Sequence, residues 1–198
     1  MKRLAGALAI LLTSLMICPF FAFAQSPLET IQTQVNKVLE VLRDPALEDE
    51  SAKETKEKKI WTLIDGVFDY TELSKRTLAQ HWRIFTPEQQ KEFTRLFGKL
   101  LGTVYMDRIM SYTNEKVVFG KATKLSEDIT EVQSEVVTAS KSIPIHYRMI
   151  SRGGSWKVFD VVVEGISLVQ NYRSQFREIL SKQSPEDLLK ILREKVKK

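Results

Sequence analysis

Cysteine is almost absent from this chain, and histidine is scarce. The single cysteine among the 198 residues is Cys18, and the two histidines are His81 and His146. A disulfide needs two cysteines, and protein zinc sites are built mainly from cysteine and histidine at short spacing. Carboxylate clusters with the spacing of metal ligands are also lacking. We therefore expect no disulfide, no metal site and no cofactor.

Long apolar runs are lacking everywhere except at the amino terminus. There, the basic Lys2-Arg3 pair precedes an apolar stretch, and Ala22-Phe23-Ala24 has the form of a signal-peptidase cleavage site. This pattern predicts a secretory signal peptide at residues 1–24, which would remove Cys18, and a single mature domain at residues 25–198. An uncleaved membrane helix is the alternative, but no stop-transfer charges follow the run.

A strong charge of one sign is missing as well. The formal net charge is +5, and it falls to +3 once Lys2 and Arg3 are removed. No basic stripe interleaved with aromatic residues is present, so nucleic acid is not an expected partner. A mildly basic secreted protein suits anionic membrane surfaces or an acidic protein partner.

The hydrophobic pattern changes period once along the chain. Apolar residues recur at helical spacing up to Tyr105, with a capping box at Thr86. From Lys116 the period becomes two, and two helices close the chain. The predicted strands are Val117–Ala122, Ile129–Ala139, Ile143–Ser151 and Ser155–Val163, and the predicted closing helices begin at Ile166 and after Ser184. We expect an α+β fold, in which a four-stranded antiparallel sheet is covered by a helical layer enclosing an apolar cavity.

Recognisable catalytic motifs are few. Ser167 follows Gly165, but Val169 stands where a nucleophile elbow needs a second glycine. We interpret Ser167 as a helix-capping hydroxyl. Asp160 lies inside an apolar strand, and we interpret it as a structural partner of an arginine or a tyrosine hydroxyl rather than as a lone acid.

The most informative segment runs from Trp156 to Phe176, WKVFDVVVEGISLVQNYRSQF. It combines a Trp-Lys-Val-x-Asp-Val strand, Glu-Gly-Ile-Ser-Leu-Val and Asn-Tyr-Arg-Ser-x-Phe. In these three elements the chain resembles the MlaC-type, or toluene-tolerance, family of periplasmic phospholipid carriers. The resemblance continues through Pro87-Glu88-Gln89 and Tyr147-Arg148, with one departure at Ala79, where the family usually has glycine.

This resemblance implies a periplasmic shuttle that is not an enzyme and carries phospholipid as its cargo. Its implied partners are an outer-membrane lipoprotein complex and the substrate-binding ring subunit of an inner-membrane ABC transporter. Arg148, Arg173 and the basic carboxyl-terminal tail are candidates for contacting acidic partner surfaces or lipid head groups.

Apolar residues on the facing sides of the helices and the sheet are more numerous than a small sheet needs for cover. For any one of them a packed core is the better interpretation, but together they favour a lipid cavity. The predicted lipid-binding residues are Trp61, Ile64, Phe68, Phe93, Phe97, Leu100, Leu101, Tyr105, Ile145, Tyr147, Val158, Val161, Val163, Ile166 and Val169.

Two other functions stay open at this point. A secreted lipid hydrolase would have to use Ser167 and His146, which have no visible third member. An interaction module with a fully packed core would bind no ligand at all.

Overall fold

The computed structural model of the protein describes residues 25–112 and 115–197. The predicted signal peptide lies outside these residues, so it and the domain boundaries stay predictions. The described helices are α1 Pro27–Leu42, α2 Lys53–Val67, α3 Tyr70–Leu78, α4 Pro87–Met110, α5 Leu168–Leu180 and α6 Pro185–Lys195. The strands are β1 Lys116–Lys124, β2 Ile129–Val137, β3 Ser142–Arg152, β4 Ser155–Val163 and β5 Ile166–Ser167.

Three helices begin in the same way. Ser26, Thr86 and Ser184 each accept a hydrogen bond from the backbone amide three residues later, and that residue's side chain reaches back to the cap. A proline follows each cap. Proline lacks an amide hydrogen and has a helix-compatible φ, so it stabilises a helix start at no cost in hydrogen bonds. The capping box predicted at Thr86 is therefore confirmed, and the last helix begins after Ser184 as predicted, with a capping box of its own.

The sheet is antiparallel and has five strands in the order β1-β2-β3-β4-β5, so the prediction of four strands was wrong. Glu164 and Gly165 both have positive φ, at 50° and 82°, and form a two-residue turn. Two central residues with positive φ match the twist of a hairpin, so the chain pairs back on β4 before any helix begins. Val162 pairs with Ser167, and Val163 with Ile166. Helix α5 consequently starts at Leu168 and not at Ile166.

The two faces of the sheet differ in chemistry. Tyr147 pairs with Val161 and Arg148 with Asp160, and consecutive residues of a strand point to opposite faces. Tyr147 and Val161 pack against a cluster that includes Ile31 of α1. The face bearing Arg148 and Asp160 is therefore the one turned away from α1.

Buried apolar residues form two separate clusters. The helical core joins α3, α4, α5 and α6, with residues Leu73, Leu78, Phe85, Phe93, Leu96, Phe97, Leu100, Leu101, Val169, Tyr172, Phe176, Leu188, Leu189 and Leu192. The smaller sheet core joins α1, the end of α2 and three strands, with residues Ile31, Val67, Val132, Met149 and Val158. A domain of this size usually has one contiguous core, so the division is informative.

Candidate functional site

A group of partly exposed residues borders the two cores, and we call it the seam: Phe68, Tyr105, Tyr147 and Val161. Phe68 packs against both cores, Tyr105 against the helical core, and Tyr147 and Val161 against the sheet core. Helix α4 packs on α2, α3 and α6, and in the described part of the chain it makes no extensive contact with any strand. Of the four seam residues, Phe68 is the one that packs against both cores.

The structure divides the predicted lipid-binding residues into three groups. Six are buried: Val158 in the sheet core, and in the helical core Phe93, Phe97, Leu100, Leu101 and Val169. Eight are partly exposed: Trp61, Ile64, Phe68, Tyr105, Ile145, Tyr147, Val161 and Val163. Ile166 is 64% exposed because it lies next to the hairpin turn. Contact of any of them with lipid stays a prediction.

Aromatic rings fill the helical core tightly. Phe97 meets Tyr172 and Phe176 edge-on, with ring centroids 5.0 Å and 5.3 Å apart. Phe93 meets Phe176 in the same way at 5.5 Å. Such pairs stabilise by about 0.5–1.5 kcal/mol each beyond their buried area. The seam residues, in contrast, are partly exposed.

Two glycines of α4 allow α2 and α3 to approach closely, as their spacing predicts. The ring of Tyr70 lies against Gly98, so that a Cβ built there would be 3.2 Å from the Tyr70 Cδ1 atom. The Tyr70 hydroxyl donates to Asp65 over 2.8 Å. Burial and this carboxylate raise the pKa of Tyr70 far above its usual value. Tyr70 was not among the predicted site residues, although the Gly98–Gly102 spacing signalled a close neighbour.

The tyrosines around the seam are held in their neutral form. Burial raises the pKa of Tyr105. Burial also raises the pKa of Tyr172, which belongs to the helical core. Burial also raises the pKa of Tyr147, against an opposing hydrogen bond with Ser134. Uncharged phenols at neutral pH suit an apolar lining, because a phenolate would have to be desolvated.

On the sheet face turned away from α1, Asp160 connects β3, β4 and α5 through hydrogen bonds. Its carboxylate is almost fully buried and accepts hydrogen bonds from Arg148 Nη1 at 3.1 Å, Ser167 Oγ at 2.6 Å and the Val169 amide at 3.0 Å. Ser167 in turn caps α5 by accepting from the Gln170 amide. The predicted structural roles of Asp160 and Ser167 are both confirmed.

These contacts weaken the hydrolase hypothesis. The Ser167 hydroxyl is bonded to Asp160, whereas His146 lies 3.4 Å from Glu131. His146 pairs with Val162, which pairs in turn with Ser167, so the serine and the histidine are two strands apart. That separation is roughly 10 Å, too far for a nucleophile and its base.

Two surface clefts formed by the described residues include charged side chains in their linings. One, of about 260 Å³, is lined by arginines and Asp160, and another, of about 250 Å³, lies beside Trp156 and Lys157. The closed apolar cavity that we expected is not shown. Within residues 25–112 and 115–197, no group of three or more metal-ligating side chains could hold an ion. None of the helices described is long and apolar enough to span a bilayer.

Comparison with known proteins decides the family. The family model described as MlaC protein matches residues 32–194, most of the chain. The chain belongs to the MlaC family. Its residues 87–89 and 156–176, which carried the resemblance, lie inside the matched region.

Individual relatives of this MlaC-family chain agree with that assignment. The intermembrane phospholipid transport system binding protein MlaC of Haemophilus influenzae is 24% identical over 119 residues, covering 58% of this chain and 56% of the relative. The chain thus spans little more than half of that protein. The toluene tolerance protein ttg2D of Pseudomonas putida is 25% identical over 161 residues, covering 80% and 75%.

The fold also matches a solved structure. The phospholipid-binding protein of Ralstonia solanacearum, in complex with a phospholipid, superposes with a TM-score of 0.74 at 24% identity. The match covers 84% of this chain and 94% of the other. None of these three names describes an enzyme.

Proposed function

We propose that this chain is a carrier that binds a phospholipid with its acyl chains at the seam, between the helical core and the sheet core. The observation that carries the proposal is the division of the interior into two clusters bordered by partly exposed aromatic residues. Membership of the MlaC family, and a fold shared with a protein in complex with a phospholipid, support it.

The seam has the properties that an acyl chain needs. Exposing a methylene to water costs about 0.8 kcal/mol, so two tails of roughly sixteen carbons each would cost on the order of 25 kcal/mol. A carrier must bury nearly all of that surface. We propose that the tails insert between α4 and the sheet, whose backbones are not closely apposed in the described residues.

The partly exposed residues are the better candidates for direct contact with the tails. Tyr105 and Tyr147 are partly exposed, whereas Phe93 and Phe97 are wholly buried among other rings. We propose that the buried group supports the wall, and that the eight partly exposed residues form its surface.

The wider role that we propose is transport in the periplasm. The carrier would move phospholipid between an outer-membrane lipoprotein complex and the substrate-binding ring of an inner-membrane ABC transporter, and so maintain the lipid asymmetry of the outer membrane. The signal-peptide pattern and the name of the Haemophilus relative support this role. Because release into water would expose the tails, transfer should require docking on these partners.

Native mass spectrometry of the purified mature protein tests cargo binding. We expect a complex with one or more intact diacyl phospholipids, which organic extraction releases and lipid analysis identifies. A protein that is repeatedly free of lipid, and takes none up from phospholipid vesicles, would be an interaction module instead. Accumulation of lyso-lipid during incubation would indicate a hydrolase.

A further inference from the structure

Three arginines from three different elements line one cleft. Arg76 comes from the last turn of α3, Arg148 from β3 and Arg173 from α5. The cleft has a volume of about 260 Å³, and Asp160 is the only carboxylate among the described residues of its lining. Its walls also include apolar residues, namely Leu125, Ile129, Phe159 and Val169.

Each guanidinium is held in place by contacts to the protein. Arg76 lies over the ring of Phe159, with its Cζ atom 4.1 Å from the ring centroid, and its Nε donates to Glu72. Arg173 donates Nε and Nη2 to the Arg76 carbonyl oxygen, at 3.0 Å and 2.6 Å. These contacts hold each of the two side chains in place, so binding a ligand would cost little side-chain entropy.

Arg148 is fixed in the same manner from the sheet. Its Nε donates to Glu131 and its Nη1 to Asp160, both at 3.1 Å. About a third of the side chain remains exposed, 31% for Arg148 and 34% for Arg76. The arginines are thus anchored at one end and accessible at the other.

The anchoring leaves donors unused. Among the described residues, no hydrogen-bond partner is present for Nη1 and Nη2 of Arg76, Nη2 of Arg148 or Nη1 of Arg173. Asp160 does not neutralise all three cations, because its oxygens are already bonded to Arg148, Ser167 and the Val169 amide. Glu72 and Glu131 also pair with Arg76 and Arg148, so the distinctive feature of the cleft is its unused guanidinium donors and not a large excess of positive charge.

We propose that this cleft is a binding site for a phosphate group. A carboxylate is planar and is matched by one guanidinium fork, whereas a tetrahedral phosphate accepts hydrogen bonds from several directions. Three guanidinium groups on three elements offer hydrogen-bond donors from several directions, as a phosphate requires. The apolar walls leave space for a substituent on the phosphate, so both a lipid head group and free phosphate fit this chemistry.

The site is distinct from the proposed cargo site. Arg148 and Asp160 point to the sheet face opposite to Tyr147 and Val161, which belong to the seam. A phosphate in the cleft would therefore be held by different residues from those at the seam. Loss of one site need not empty the other.

The test uses the full mature protein, with Arg173→Gln as the variant and Arg177→Gln as its matched control. Arg177 is exposed, one turn further along α5, and does not line the cleft. Both variants lose one positive charge from the same helix. Titration with potassium phosphate at constant ionic strength, followed by arginine Nε–Hε NMR signals, should show saturable binding. We expect Arg173→Gln to weaken it at least tenfold, as for a lost charge-assisted contact, and Arg177→Gln by less than twofold.

A second variant protects the test against misfolding. If Arg173→Gln does not fold, Arg76→Lys takes its place as the cleft variant. Arg76→Lys keeps the charge but loses the planar guanidinium fork, so it should also weaken phosphate binding. Equal phosphate affinity in the wild type and either cleft variant would overturn the proposal. So would non-saturable shifts, or acetate binding as tightly as phosphate.

Vesicles distinguish the two sources of phosphate. Sedimentation with phosphatidylglycerol vesicles that is lost in Arg173→Gln and kept in Arg177→Gln supports a lipid head group. Saturable binding of inorganic phosphate, with vesicle binding equal in both variants, supports free phosphate. Cargo occupancy, measured by native mass spectrometry on the same samples, should stay at the wild-type level, so failure of this site and failure of the carrier proposal give different results.

Discussion

The indole of Trp61 on α2 lies directly against Gly102 on α4. A Cβ atom built at Gly102 would be only 2.3 Å from the Trp61 Cη2 and Cζ3 atoms, closer than real Cβ atoms come to any neighbour. The bare backbone of Gly102 therefore makes room for the ring. Trp61 is partly exposed and is one of the predicted lipid-binding residues.

Replacing Gly102 with alanine should displace this ring. We expect Gly102→Ala to destabilise the fold by about 1–3 kcal/mol, as overpacking does, and to reduce lipid occupancy. Gly66→Ala on α2 is the control, because a Cβ there meets nothing within 4 Å. It should be neutral or stabilise by up to about 1 kcal/mol. Urea unfolding and lipid analysis measure both, and equal effects of the two variants would contradict the close contact.

Enlarging a seam residue should separate a lipid site from a packed core. Val161→Trp should lower lipid occupancy strongly while changing the melting temperature of the lipid-free protein only slightly. The same change at Val118, which is 43% exposed on β1, should leave occupancy unchanged. Full occupancy in Val161→Trp, together with a loss of about 1–3 kcal/mol of stability, would mean that the seam is ordinary core.

Removing the charge of Asp160 should destabilise the junction of β3, β4 and α5. We expect Asp160→Asn to cost about 2–3 kcal/mol, because it breaks a buried ion pair. The cost falls short of a full buried-charge penalty, since Arg148 keeps Glu131 as a partner. Glu135→Gln, at an exposed carboxylate of β2, should stay within about 0.5 kcal/mol of the wild type by chemical unfolding. Similar stability of the two variants would contradict the organising role.

Ala79 has a backbone conformation that favours glycine. Its φ is 50° and its ψ is −122°, at the end of α3. We expect Ala79→Gly to stabilise the protein by about 1 kcal/mol, because it relieves this strain. Ala46→Gly is the control, since Ala46 has no positive φ, and it should not stabilise. A lower melting temperature for Ala79→Gly would show that the strain is not present.

Part of the loss of stability of the fold at acid pH should come from the contact between α4 and α6. Arg193 donates to both carboxylate oxygens of Glu92 at 2.8 Å, and these bonds lower the pKa of Glu92 below its usual 4.5. Because the folded pKa is the lower one, the stabilisation is complete above pH 4.5 and is lost as pH falls through the folded value.

Melting temperatures at several pH values test whether this stabilisation is lost on acidification. The wild type should melt above Glu92→Gln at pH 7, and the difference should shrink as the pH falls below 4.5. Glu194→Gln, at an exposed position of α6, should melt like the wild type at pH 7. A difference between wild type and Glu92→Gln that grows on acidification would contradict the assignment.

Much of the fold could be predicted because its signals are local. Capping boxes at Thr86 and Ser184, the turn at Gly153-Gly154 and the alternating period of the strands each depend on residues a few positions apart. The fifth strand was missed because Glu164 adopts a positive φ, which the sequence does not predict for a residue other than glycine. Two paired residues are also too short a segment to leave a periodic signal.

The sequence by itself determined the order of the helices and of the first four strands, and its motifs indicated the MlaC family that the family model shows. Only the tertiary structure decided that the apolar residues divide into two cores, and that Arg76, Arg148 and Arg173 meet at one cleft. Arg173 contacts a carbonyl oxygen 97 residues earlier in the chain. A contact over such a distance depends on how whole elements dock, and no local pattern of residues encodes it.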